Sequence, residues 1–198
     1  MWTSRSSPDA TFEPVSQAPW HETVDSLEAR GLEFDAGLSD QEVAEVEERY
    51  GFSFPPDLRS LLQTALPVSD RFPNWRSGAE DDLERRMAWP AEGIAFDVEN
   101  NQFWLTAWGT RPSDLAEALA LAQAKVAEAP SLIPVYSHRY LPDEPAEAGN
   151  PVFSVYQTDI IHYGADLLSY LEAEFGIETS GPRAQVPRPI RFWGDLVT

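Results

Sequence analysis

The stretch GLSDQEVAEVEERYGFSFPPDLRSLL, residues 37–62, decides the fold. Ser39 stands before Asp-Gln-Glu, which makes it an N-cap, with Glu42 at the reciprocal position of a capping box. Leu38 and Val43 occupy the positions of a hydrophobic staple, and Val43, Val46 and Tyr50 form one apolar stripe at helical spacing. Gly51 then supplies the left-handed residue that ends a helix. Two prolines fix the entry to a second helix, whose Leu58, Leu61, Leu62 and Ala65 recur at i, i+3, i+4 and i+7. Two amphipathic helices joined by so short a link must pack close together.

Working outward, Ser113 is placed to cap a third helix with Leu115, Leu119, Ala122 and Val126 inward and Pro130 beyond its end. Asp166 to Phe175 reads as a fourth, closed by Gly176. Between the helices lie strand candidates: GIAFDV (93–98) and QFWLTAW (102–108) as a hairpin around Asn100-Asn101, then LIPVYS (132–137), and PVFSVYQ (151–157) with DIIHYG (159–164) around Thr158. Residues 137–141 read as the exit from the 132–136 strand, with Pro142 ending its pairing. Helices toward the two ends with strands gathered in the middle predict a single α+β domain, a mainly antiparallel sheet with helices packed around it. Its pattern spans residues 22–178. Residues 1–21, rich in Ser, Pro and Thr with Trp2 and Trp20 to fasten them, read as an N-terminal arm, and 179–198, with Arg183, Arg188 and Arg191 between prolines, as an extended C-terminal tail.

A chain of 198 residues with 42% hydrophobic content has ample material for a core. Its formal charge of −19 arises from 33 acidic against 14 basic residues. Such a surface repels nucleic acid and anionic membranes, because both are held by Lys and Arg. The acidity serves solubility, or it attracts a cation or a basic protein. Without cysteine there is no disulfide framework, thiolate zinc site or cysteine nucleophile. Neither a secretory leader nor a membrane-spanning apolar run is legible, so a cytoplasmic protein is expected.

Tests for chemistry return little. Ser137 and His138 are adjacent, and on a strand they would face opposite ways, so the reading excludes a direct dyad. No G-x-S-x-G elbow is present, and pairing Ser154 with His162 rests on residue type alone. The three histidines, His21, His138 and His162, lack zinc-ligand spacing, and Asp159 and His162 are expected on opposite strand faces, so no metal or other cofactor is expected. Asp97 and Glu99 would share one face of a strand whose other face carries Ile94, Phe96 and Val98. No Gly-rich phosphate cradle occurs.

What remains is a set of polar and aromatic residues in FPNWR (72–76), at Trp104, in SHRYLP (137–142) and in GNPVFSVYQ (149–157). The candidate partner-binding residues are Trp75, Arg76, Trp104, His138, Arg139, Tyr140, Asn150, Ser154 and Tyr156, because Trp, Tyr and Arg give large contact area with a polar handle. Residues 37–62 also resemble the opening of the SUKH superfamily, which contains the fungal Smi/Knr cell-wall assembly regulator and many bacterial immunity proteins. In that family an acidic amphipathic helix runs into Phe-Pro-Pro-Asp-Leu/Tyr and a leucine-rich helix. FPNWR, VYSHRYLP and GNPVFSVYQTDIIHYGADLLSYL are similar to later pieces of its larger bacterial members. The resemblance implies an α+β fold and a non-enzymatic, protein-binding role, commonly neutralisation of a cognate toxin, often a nuclease. The expected partner is then a basic protein, with Glu42, Glu45, Glu47 and Glu48 as an acidic landing surface. The alternatives are a regulatory scaffold that binds a peptide or small ligand, and a hydrolase or metal enzyme.

Overall fold

The computed structural model describes residues 20–77 and 79–197. The first elements are α1 (Trp20–Glu28), β1 (Phe34–Ala36), α2 (Asp40–Tyr50), α3 (Pro56–Thr64) and β2 (Ala65–Pro67), with β1 and β2 paired antiparallel. Ser39 caps α2 as expected: the Glu42 N–H donates to its hydroxyl at 3.2 Å and the Ser39 N–H donates to Glu42 Oε2 at 2.8 Å. Gly51 ends the helix at φ 71°. Trp20 opens α1 and is buried, while Trp2 and the rest of the expected arm up to residue 19 lie outside the described residues.

After α4 (Glu80–Asn100) and α5 (Leu115–Ala127), four strands make the main sheet: β3 (Leu132–Tyr136), β4 (Arg139–Pro142), β5 (Val152–Tyr156) and β6 (Asp159–Gly164), antiparallel in the order β3-β4-β5-β6. α6 (Leu167–Phe175) follows, capped by Asp166 and closed by Gly176. The architecture is α+β in one domain. The sheet is covered on both faces. Ile133, Val135, Leu141 and Val152 join α2, α3 and α6 in one core, whereas Leu132, Tyr140, Phe153, Val155 and Ile160 join α4 and α5 in another. Burial on both sides explains why β3 and β5 read as continuous apolar runs rather than polar–apolar alternation. The tail 179–197 is irregular, with bends at 181 and 185–186 and a turn at 191–192, and Ile190, Trp193 and Leu196 are buried in the second core.

Three expectations fail here. Residues 137–141 are not simply an exit: Ser137 and His138 form a tight turn, with Ser137 at φ 51°, and the chain returns as β4 up to Pro142. Asp114, not Ser113, caps α5, whose buried residues are Ala118 and Ala122, while Leu115 is left exposed. The proposed hairpin at 93–108 does not exist. Residues 93–98 are the last third of α4, and 102–108 are irregular with one 3-10 turn at Thr106–Trp108.

The alternation of Ile94, Phe96 and Val98 is overruled by a longer stripe. Leu83, Met87, Pro90, Ile94 and Val98 repeat at helical spacing and turn inward, leaving Phe96 47% exposed. Asp97 and Glu99 accordingly separate, the first buried and the second exposed. Pro90 and Gly93 look like breakers, and each has a specific use. Pro90 has no N–H for the Arg86 carbonyl four residues earlier. The Tyr140 hydroxyl of β4 donates to that carbonyl instead, at 2.9 Å. At Gly93 a Cβ would stand 2.7 Å from the Gln157 Cα, so glycine lets α4 press on the β5–β6 turn. Two further bonds complete the attachment. Trp89 Nε1 donates to the Val155 carbonyl at 3.2 Å, and Asp97 accepts from both the N–H and the hydroxyl of Thr158, at 3.0 and 2.6 Å. Burial alone would raise the Asp97 pKa, but the hydrogen bonds from Thr158 and Asn101 together hold it low.

Near the start of α2 a second clamp forms. Arg76 donates to the Ala36 and Gly37 carbonyls at 2.8 and 2.9 Å and pairs with Glu42, tying α2 to the end of β1. The Arg76 hydrogen bond, then those from Ser39, hold the Glu42 carboxyl down at about 2.

Two outcomes are expected. Tyr140→Phe leaves the buried Arg86 carbonyl unpaired and costs about 1–3 kcal/mol in chemical denaturation. Adding Pro90→Ala returns the missing N–H, so in that background the Tyr140→Phe penalty shrinks by at least half; an unchanged penalty refutes the link. In Arg76→Ala, the Glu42 carboxyl titration followed by NMR moves up from about 2 towards the ordinary glutamate range. Because the folded pKa is the depressed one, the stability Glu42 contributes is complete above the unfolded value of 4.5 and fades as pH falls towards 2; Arg76→Ala reduces that acid-side loss and leaves the part due to Ser39.

Candidate functional site

The first half of α4 presents Asp82, Arg85, Arg86 and Trp89 at i, i+3, i+4 and i+7, one stripe of the helix. This stripe faces the β3–β4 turn, and between them lies a cleft of about 510 Å³. Tyr140 lies against α4 through its bond to the Arg86 carbonyl, Ser137 and His138 supply the turn, Tyr156 stands at the end of β5, and Arg71 lines the cleft from the segment before α4. Its size falls in the range of small-molecule sites.

Electrostatically the cleft opposes the rest of the protein. Three arginines and one aspartate are among its lining residues, two positive charges in excess on a chain of −19. Arg86 is held at two points, donating to Asp82 at 2.7 Å and to the Arg71 carbonyl at 3.0 Å. Arg85 gives one nitrogen to Asp82 at 2.7 Å and is otherwise 69% exposed. The Arg71 guanidinium has no partner among the described residues. Trp89 is held by its bond to Val155, and its ring lies 6.2 Å from that of Tyr156, which is 59% exposed. Burial, then the Arg139 charge, lowers the His138 pKa, so its imidazole is neutral at pH 7.

Because they share a turn rather than a strand, Ser137 and His138 do meet: Ser137 Oγ lies 3.2 Å from His138 Nδ1. That reverses the expected separation. No carboxylate orients the other ring nitrogen among the described residues, so the pair is without the third member of a triad, and the Ser137 N–H is given to the Arg71 carbonyl at 2.8 Å. No group of three or more His, Asp or Glu is placed to hold a metal among the described residues.

Of the nine expected binding residues, the cleft gathers His138, Tyr140 and Tyr156. The others serve elsewhere. Trp75 is buried in an edge-to-face cluster with Tyr50, Phe52 and Phe54, and Arg76 is the α2 clamp. Trp104 packs on Trp108 and donates to the Gly109 carbonyl at 2.8 Å. Arg139 is turned towards α6: it donates to Ser154 Oγ at 2.9 Å, approaches Glu174 at 3.7 Å and lies 3.8 Å over the Tyr163 ring. Asn150 is wholly buried, donating to the Pro142 and Pro145 carbonyls and accepting from Arg188 at 2.8 Å. In the acidic set, Glu42 is used by its cap and clamp and Glu47 accepts from the Phe54 N–H at 2.8 Å, so only Glu45 and Glu48 stand exposed as a landing surface requires. His162 stacks on Phe153 and belongs to the sheet.

Sequence reading missed Arg71, Asp82, Arg85, Arg86 and Trp89. The i, i+3, i+4, i+7 spacing of the last four was the available signal, hidden once 93–108 was read as a hairpin.

The basic residues are largely consumed by the fold. Ion pairs occupy eight arginines and Lys125. Arg30, Arg111 and Arg191 donate to the carbonyls of Gly176, Val98 and Glu128, at the C-terminal ends of α6, α4 and α5, where a cation also complements the helix dipole. Comparison of the chain with family models, curated proteins and solved structures returns no match.

Proposed function

We propose that the protein is a non-enzymatic binding module of the SUKH type, whose acidic surface engages a basic protein partner, an immunity-type pairing with a basic toxin being the concrete form. The observation that carries this reading is the internal use of its cations. With most arginines locked in ion pairs and helix-end caps, the uncompensated surface charge is acidic, and such a field accelerates encounter with a positively charged partner. Glu45 and Glu48 on α2 are exposed and free of the structural duties of Glu42 and Glu47.

A second reading is favoured by the cleft beside α4: a scaffold that binds a small ligand through Tyr140, His138 and Tyr156 together with the α4 stripe.

The first reading is tested by affinity capture at low salt followed by mass spectrometry, then by association kinetics with the recovered partner. A basic protein is expected, released as salt rises, and Glu45→Lys with Glu48→Lys should slow association by about two- to ten-fold. Recovery of no partner, or only of acidic ones, overturns it.

A further inference from the structure

We infer that the cleft between α4 and the β3–β4 turn is a site for a small aromatic anion, a flat ring carrying one carboxylate or phosphate. The inference rests on the second reading above, that the cleft is a ligand site, and adds the chemistry of what enters it.

Two groups are available to an anion. Among the described residues the Arg71 guanidinium has no partner, and Arg85 keeps most of its donors free while one nitrogen holds Asp82. Arg86 is a positioning residue, since its side chain is spent on Asp82 and on the carbonyl of Arg71, which fixes the segment bearing Arg71 against the helix. A guanidinium fork suits a carboxylate or phosphate, both of which accept two parallel hydrogen bonds. Beside these groups Trp89 and Tyr156 offer an aromatic wall. The indole is tethered through Nε1 to Val155, so a ring stacking on it meets a surface already ordered.

Size and field decide between small and large anions. At physiological ionic strength charges are screened over about 8 Å, so a ligand confined to the cleft experiences chiefly the local positive excess. A nucleic acid or other polyanion extends past that distance onto a surface whose remaining charge is strongly negative. The volume of about 510 Å³ holds a single- or double-ring compound with its headgroup.

The test uses the full chain with phenyl phosphate and phenylacetate as probes, and phenol and inorganic phosphate as controls, read by calorimetry and by the Trp89 indole N–H resonance. Both anionic probes are expected to bind at least about ten times more tightly than either control; if one of them dominates, it identifies the headgroup. Arg71→Met and Arg85→Met, which keep the apolar stems and disturb no more than the Arg85–Asp82 pair, should together weaken the anionic probes by about ten-fold or more and leave phenol unaffected. Tyr156→Thr, at an exposed strand position, should weaken every aromatic probe. Phenol binding as tightly as phenyl phosphate, unchanged in the arginine variants, overturns the anion assignment while leaving a ligand site. If no probe moves the Trp89 resonance, the site and the reading beneath it both fall.

Discussion

A proline in the middle of a helix leaves one carbonyl without a donor, and in this protein the seating of α4 on the sheet follows from how that carbonyl is satisfied. The Arg86 oxygen, deprived of a partner by Pro90, takes the hydroxyl of Tyr140. A hydroxyl can reach it only if β4 runs beneath the first half of α4, so the bond fixes both the distance and the register of helix on sheet. The other attachments at Trp89, Gly93 and Asp97 follow along the same side of the helix at roughly one per turn. The side chains next to that seam, still on α4 but turned past the sheet edge, become the wall of the cleft. A defect in helical hydrogen bonding and the formation of a concave site therefore have one origin.

The second organising fact is the division of charge. Arginine is used as mortar: its planar fork closes helix ends, ties α2 to β1 and crosses from the tail to the loop at Asn150. Acidic residues outnumber basic ones 33 to 14, so most carboxylates are left without such partners. The protein consequently combines a strong acidic excess with a cleft beside α4 whose lining carries more arginine than carboxylate, and the two use different residues.

How far the sequence reveals this depends on whether a signal is local. The capping box at Ser39, the glycine stop at 51, the 151–164 hairpin and the Asp166 cap are set by contacts within a few residues, and each is legible. α4 is not, because Pro90 and Gly93 are breakers in isolation and become acceptable only through Tyr140 and Gln157, 50 and 64 residues away by number. The same holds for β4, hidden behind a tight turn whose Ser137 adopts a positive φ that serine rarely takes. For the site, residue type was a fair guide to which segments matter and a poor guide to what each side chain does. Trp75, Arg139 and Asn150 are polar or aromatic residues that the interior needs, and alternation along β4 sends Tyr140 towards α4 while its neighbour Arg139 goes to α6.

The tail has a consequence for how the chain acquires its structure. Ile190, Trp193 and Leu196 complete the second core, and Val197 bridges Ile160 in parallel at the edge of the sheet. The core on the α6 side draws on residues that are all synthesised by position 175, whereas the other stays open until residue 197 has left the ribosome. During that interval α4 and α5 already cover this face of the sheet, and only the part that Ile190, Trp193 and Leu196 fill stays open. The tail is thus the last piece the second core receives, on the side of the sheet where α4 forms the cleft wall.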